Sequence, residues 1–227
     1  MEGRKIKQIL LVNTKGGCGK TTIATNLSSY YASRHIPTAL VDHDPQASSI
    51  QWLESRHPSL NSITGVTAYK HVQSGMTKSW AMRIPIDVER IIIDTPAGLP
   101  KEQLIKQARQ SDFIIIPVLP SPIDIRALGG FIKELYFTSN IRQQAKLAVV
   151  ANRVRKDTLV FNALESFLQK IDIPFITTLR DTQNYIKVAE KGMGIHDISL
   201  PGCQKDHEQW SPLINWIEEK QEYDNSK

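Results

Sequence analysis

The 227-residue sequence predicts an α/β fold, a mostly parallel twisted sheet with helices on both faces. Three observations carry that expectation. Short apolar runs recur along the chain, each suited to a strand buried on both sides. The first run passes through a glycine-rich turn into helical spacing. The last two runs are separated by a helical stretch beginning near Asp124, the kind of crossover that parallel neighbours require.

Ile9-Leu10-Leu11-Val12 is the first strand, and Ile23 to Ser33 is the helix that follows it. Between them runs Thr14-Lys15-Gly16-Gly17-Cys18-Gly19-Lys20-Thr21-Thr22. Glycines at 16, 17 and 19 let the backbone turn its N–H groups inward around phosphate oxygens, and the helix N-terminus adds a favourable dipole. This is a phosphate-binding loop of the P-loop NTPase fold. Lys20 is placed to contact the β- and γ-phosphates of ATP, Thr21 to offer a hydroxyl to Mg²⁺, and Thr22 to lie near the α-phosphate. Cys18 fills the loop's variable position. Lys15 comes too early to share the cradle with Lys20, yet it lies close enough to the phosphates to serve a facing subunit.

The Lys-Gly-Gly-x-Gly-Lys-Thr form resembles the deviant Walker A motif of the ParA/MinD family of dimeric ATPases. That resemblance implies an ATP-dependent sandwich homodimer in which Lys15 reaches the partner's nucleotide. It runs from about residue 6 to residue 196.

Thr38-Ala39-Leu40-Val41-Asp42-His43-Asp44-Pro45-Gln46 reads as a second buried strand ending in two carboxylates on a tight turn. Alternation puts Asp42 and Asp44 on one side if the strand continues that far. By the family resemblance this is switch I, with Asp44 orienting the attacking water and Asp42 near the metal. Residues 57 to 88 suggest strand and helix fragments beside the active site and a docking surface for an adaptor. Ile91-Ile92-Ile93-Asp94 is a third strand of Walker B pattern, followed by Thr95-Pro96-Ala97-Gly98; Asp94 is expected to hold Mg²⁺ through water or Thr21. Phe113 to Val118 and Leu147 to Asn152 supply two further strands. Asn152-Arg153 resembles the family's adenine-contacting pair, and an asparagine amide can both donate to and accept from a base edge. Pro120-Ser121-Pro122-Ile123-Asp124 resembles the loop of small plasmid-partition ParA proteins that lies by the dimer interface. Leu179-Arg180-Asp181 and Glu190-Lys191-Gly192-Met193-Gly194-Ile195 close the resemblance.

The chain fits one domain, residues 1–227, with an acidic C-terminal helix and tail at about 206–227. That tail carries two lysines against six carboxylates, so the net charge of +5 divides into −4 for the tail and +9 for the body. A basic body suits phosphate-rich partners. In ParA-like proteins arginines near the last strand form a DNA-binding surface; Arg180 matches one, and Arg153, Arg155, Lys156, Lys187 and Lys191 extend it toward non-specific DNA. Trp210, Leu213, Ile214, Trp216 and Ile217 have helical spacing beside Glu208, Glu218 and Glu219, which reads as a helix packed on the domain. Those carboxylates weigh against the anionic-membrane contact of a MinD-like protein. With no signal peptide or bilayer-length apolar run, the expected location is cytoplasmic and nucleoid-associated.

Cys18 and Cys203 make no Cys-x-x-Cys pair, against an iron-protein-like carrier, and Tyr223 stands without the tyrosine cluster of a bacterial tyrosine kinase. The sequence therefore predicts a small ParA-type ATPase, slow without its partner, that positions a plasmid or chromosome through a ParB-like adaptor. A McdA-like protein that positions a compartment such as a carboxysome is the alternative, as are a MinD-like membrane ATPase and a nucleotide-gated DNA scaffold with negligible turnover.

Overall fold

The computed structural model describes residues 6–69, 84–139, 145–171, 173–199 and 202–219. Strands β1 (Lys7–Leu11), β2 (Thr38–Asp42), β3 (Thr64–Thr67), β4 (Arg90–Asp94), β5 (Phe113–Val118), β6 (Lys146–Val154) and β7 (Phe175–Arg180) form one sheet in the order β3-β2-β4-β1-β5-β6-β7. Every pair is parallel. The helices between them are α1 (Lys20–Ser33), α2 (Ser48–Glu54), α3 (Lys101–Gln110), α4 (Pro122–Ser139), α5 (Leu159–Leu168) and α6 (Asn184–Ala189), with α7 (Gln204–Glu218) after β7.

Pleating sends alternate residues to opposite faces, and both faces are apolar because both are covered. Leu10, Val12, Val41, Ile93, Ile114, Ile116 and Val149 pack beneath α3, α4 and α5, through Leu104, Leu128 and Leu164. Ile9, Leu11, Leu40, Ile92, Ile115 and Val150 pack beneath α1 and α7, through Ile23, Leu27, Tyr31, Trp210 and Leu213. The expected two-faced helical cover is therefore present. The strands expected from apolar runs are all found, β6 extending beyond Asn152 to Val154. Of the segment 57–88, where an adaptor surface is expected, β3 is an edge strand and residues 70–83 lie outside the described residues.

The C-terminal helix packs as the spacing predicts: Trp210, Leu213, Ile214 and Ile217 are buried on α7. Its last turn reaches the start of the chain, where Lys7 Nζ donates to the Ile217 carbonyl at 2.6 Å and to Glu218 at 3.1 Å. Glu218 also accepts from Arg90 at 2.8 Å and from the Tyr31 hydroxyl at 2.8 Å. Burial alone would raise the Glu218 pKa; the hydrogen bonds from Arg90 and Tyr31 outweigh it and hold the carboxylate below its ordinary range.

The segment 192–197 explains two glycines that the sequence alone leaves bare. Gly192 has φ +61, and a Cβ there would fall 2.3 Å from the Arg56 backbone nitrogen. A Cβ on Gly194 would meet Ser29 at 2.4 Å. This close approach lets Arg56 form a two-pronged ion pair with Asp197, at 2.7 and 2.9 Å, with side chains 5% and 3% exposed. Asp197 also accepts from Ser29 Oγ and the Gly194 N–H. Arg56→Ala would leave that carboxylate buried without its cation, so a loss of about 3–5 kcal/mol is expected in urea unfolding. Loss of under about 1 kcal/mol would show that the pair contributes no more than a surface bridge.

His196 stacks on His207 with ring centroids 5.1 Å apart and meets Tyr30 and Trp210 edge-on. Burial, reinforced by the neighbouring His207, lowers its pKa to about 4, below the ordinary value near 6.5. A depressed imidazole pKa means the unfolded chain binds the extra proton, so this contribution is complete above pH ~6.5 and is lost as pH falls toward ~4. The expected loss across that window is up to about 3 kcal/mol. Denaturation at pH 7, 5.5 and 4.5 checks it; His196→Phe should flatten the slope over that window, and an unchanged slope would remove His196 as its source.

Candidate nucleotide-binding site

Strand order fixes the site. β1 lies at the centre of the sheet, between β4 and β5, and the loop at its C-terminal end opens where chain connections diverge to either side. The register pairs Leu11 with Asp94 on one side and with Ile115 on the other. Thr95 Oγ1 donates to the Leu11 carbonyl at 2.8 Å, tying the end of β4 to the start of the loop.

The loop 14–19 is held by two asparagines. Asn13, 2% exposed, donates from its amide to the Pro117 carbonyl at 2.6 Å, and its Oδ1 accepts from the Lys15 N–H at 3.0 Å. The Asn152 amide donates to the Cys18 carbonyl at 2.9 Å. Gly19 has φ +101, and a Cβ there would sit 1.9 Å from Asn152 Nδ2, so glycine is required on both conformational and steric grounds. Gly17 has φ +74 and faces open space. Cys18 is fully buried beneath the loop, its thiol directed at the Lys15 carbonyl at 3.3 Å. Burial, only partly offset by the neighbouring Lys20, pushes that thiol's pKa up, which fits a packing role at the variable position.

Lys20 begins α1 and folds back over the loop, its Nζ donating to the carbonyls of Lys15 at 3.0 Å and Asn13 at 3.3 Å. Gly16 and Gly17 are exposed along the loop, and Lys15, Thr21 and Thr22 are half-buried. The sequence reading therefore finds Lys15, Lys20, Thr21 and Thr22 together around one loop.

Asp94 is the electrostatic focus. It is 1% exposed, and neither carboxylate oxygen has a hydrogen-bond partner among the described residues. Burial pushes its pKa up to about 7; the charges of Asp42 and Asp44 add to the rise, and the adjacent Thr21 hydroxyl and Lys20 oppose it. A buried, unpartnered carboxylate beside a threonine hydroxyl at the phosphate loop fits a hard divalent cation such as Mg²⁺, whose oxygen preference this donor set matches.

Asp42 does not lie open to such a cation. It is fully buried, and both its oxygens are engaged: Oδ2 accepts from Ser49 Oγ at 2.7 Å and Ser49 N–H at 3.1 Å, and Oδ1 from the Asp44 N–H at 2.8 Å. The strand ends at Asp42, so the alternation expected to align Asp42 with Asp44 stops there. Asp42 instead satisfies the orphan donors at the start of α2. Asp44 lies beyond it, half-buried, with Oδ1 accepting from the Gln46 N–H at 2.9 Å. Two non-glycine residues in left-handed conformation, Ala47 at φ 55 and Arg153 at φ 53, flank the site, a mark of backbone held by its surroundings.

The outer part departs further from expectation. Asn152 is 4% exposed and one amide N–H is engaged with the loop, so it positions the phosphate cradle while its second N–H and its Oδ1 remain for a base edge. Arg180, expected on an open basic face, keeps a third of its side chain exposed but is already paired: Nε donates to Asp206 at 2.5 Å and Nη2 to the same carboxylate at 2.9 Å and to the Gly202 carbonyl at 3.0 Å. The reason is Asp206, fully buried in the first turn of α7, which needs a cation and also takes the Asn184 amide at 2.7 Å. Arg155 pairs with Asp181 at 2.8 Å, and Arg153 lies 3.6 Å from the same residue. Lys156, Lys187 and Lys191 are exposed. Sequence reasoning missed Asn13, Ser49 and Asp206; only Asn13, directly before the loop, had a position that pointed to a role.

The sequence profile of the CobQ/CobB/MinD/ParA nucleotide binding domain matches residues 9–195, from the first strand through the glycines that seat Arg56. The chain belongs to this family. Within it, the carboxysome distribution maintenance protein A of Halothiobacillus neapolitanus is 27% identical over 203 residues, 89% of this chain and 92% of that protein. Among solved structures of the CobQ/CobB/MinD/ParA fold, a Borrelia burgdorferi plasmid-partition-type protein bound to AMPPNP is similar with a TM-score of 0.70 at 16% identity, over 93% of this chain and 100% of that one. A Cyanothece McdA variant in complex with ATP gives 0.67 at 16% identity, over 93% and 98%. At these identities the structural likeness speaks for the fold. No helix among the described residues is long and apolar enough to cross a membrane.

Proposed function

We propose that this protein is a ParA-type ATPase: ATP binding joins two copies into a sandwich dimer, the dimer coats DNA, and a cargo-bound adaptor stimulates hydrolysis and release. The observation that carries the reading is the phosphate loop that contains both Lys15 and Lys20, together with the buried, unpartnered carboxylate of Asp94. Loop N–H groups and Lys20 would cradle the phosphates, the Lys20 ammonium exchanging the Asn13 and Lys15 carbonyls for phosphate oxygens. Mg²⁺ held by Asp94 and Thr21 would offset phosphate charge. Asp44 would orient the attacking water, and Lys15 from the facing copy would stabilise charge developing on the transferred phosphoryl group. Asn13 fixes the backbone from which Lys15 extends, through its bond to the Lys15 N–H.

Lys156, Lys187 and Lys191 are the members of the basic surface with no ion pair to a described carboxylate, so DNA contact is assigned first to them, with Arg153 and Arg155 sharing Asp181. Arg180 is reassigned as the clamp of α7. Contacts of this kind touch phosphates and carry no sequence information. A plasmid or chromosome locus with a ParB-like adaptor is the first cargo; a protein compartment is the second, favoured by the near full-length similarity to the carboxysome distribution protein.

The test is binding to arbitrary duplex DNA with ATP, with ADP and without nucleotide, at low and moderate salt. Tight binding with ATP alone, falling steeply as salt rises, is expected. Absence of DNA binding in every state would overturn the DNA-coating step.

A further inference from the structure

His43 sits between the two carboxylates of the 42–44 turn, yet its side chain takes no part in the nucleotide chemistry assigned above. Two of its contacts together close a ring in the structure. Its backbone N–H donates to the Asp94 carbonyl at 2.9 Å. Its imidazole Nε2 lies 3.1 Å from the amide nitrogen of Gln107, on α3. Gln107 donates from that nitrogen, so Nε2 accepts and the ring proton sits on Nδ1.

The two contacts bracket the segment from Asp94 through the 95–100 loop to Gln107. At one end the β4 strand leaves Asp94 for Gly98, whose φ is +68. At the other, α3 is anchored to the core by Leu104 and Ala108, both buried, while Lys101, Glu102, Gln103, Lys106, Arg109 and Gln110 face solvent. His43 is thus the residue through which the 42–46 turn holds both ends of the loop that follows Asp94. A shift of the turn must either carry α3 with it or break the His43–Gln107 bond, because the Asp94 end is fixed by the Asp42–Asp94 strand register.

We propose that His43 is a positioning residue that couples the nucleotide-facing turn to α3 through Gln107, so that nucleotide state is read out on the exposed face of α3. The inference rests on the reading that nucleotide binds at the phosphate loop, and adds to it that nucleotide shifts the 42–46 turn. It identifies α3 as the surface whose order changes with the cycle, and Gln107 as the residue that makes it do so.

Amide hydrogen exchange over residues 95–110 of the full chain tests it, with and without Mg²⁺–AMPPNP, alongside calorimetric titration of the same nucleotide. In the wild type, nucleotide is expected to change exchange in this segment about fivefold, what one hydrogen bond contributes to a local opening equilibrium. Gln107→Ala and His43→Ala should each abolish that nucleotide-dependent change, and the double variant should add nothing further, as for two ends of one link. His43→Gln, still able to hydrogen-bond the amide, should retain it. A merely structural contact would instead alter exchange equally with and without nucleotide. Nucleotide that binds all the variants while leaving the 95–110 change intact would overturn the coupling. No calorimetric binding to the wild type would overturn the nucleotide reading itself, and the coupling with it. Should His43→Ala fail to fold, Gln107→Ala, changed on a half-exposed helix position, decides alone.

Discussion

Lys15→Gln protein is expected to bind ATP nearly as well as the wild type and to lose about 10³–10⁵-fold of its adaptor-stimulated turnover, the range over which a charge supplied in trans acts in phosphoryl transfer. In the proposed arrangement the loop amides and Lys20 would cradle the protein's own phosphates, and Lys15, half-buried, would serve the facing copy. Its N–H is fixed by Asn13, so glutamine at this position keeps the backbone and removes only the charge. A mixing experiment separates the cross-subunit role from a role within one protomer. In a heterodimer of Lys15→Gln with Asp44→Ala, the site with intact Asp44 faces the intact Lys15 of its partner. Equal mixing should therefore restore about a quarter of wild-type turnover from two nearly inactive proteins, as random pairing in a two-fold dimer dictates. No recovery on mixing, with heterodimers present, would sink the trans role.

Asp44→Ala is expected to accumulate an ATP-bound dimer on DNA, with hydrolysis reduced by about 10²–10⁴-fold, the usual contribution of a positioned acid–base group. Its structural role is small: one hydrogen bond to the Gln46 N–H in an exposed turn. Unfolding curves of the variant should thus be close to wild type, so that a kinetic loss cannot be put down to misfolding. Normal phosphate release by the variant would remove Asp44 from its assigned role. Asp42→Ala differs in kind, since it frees the buried Ser49 hydroxyl and the first amides of α2, and its effect is expected in stability as well as turnover.

The contrast between these aspartates shows where the sequence was legible. Apolar runs report strands that are buried on both faces, and every such run from Ile9 to Asn152 became one. The phosphate loop was equally plain, because its glycines and Lys20 act locally, within a few residues of one another. β3 and β7 were harder, having fewer buried positions per strand. What the sequence hid were pairings between distant residues. Nothing near Arg180 announces that Asp206 will be buried on a helix opposite it, and nothing near Asp42 says that a strand ending there, two residues short of Asp44, will turn its carboxylate into a cap. Charge counts see a cation; only the fold shows whether a carboxylate already holds it.

The placement of β1 has a consequence for how the chain acquires its shape. The first of the described strands is the central one, and its two neighbours come from residues 90–94 and 113–115. Its foot is then closed by Lys7 bonding to Ile217 and Glu218, 210 and 211 residues away. Pairings of such separation fold slowly, because loops must close before any contact rewards them. During synthesis the phosphate loop emerges well ahead of β4 and β5, which flank β1, and β1 gains its last partner only when α7 leaves the ribosome.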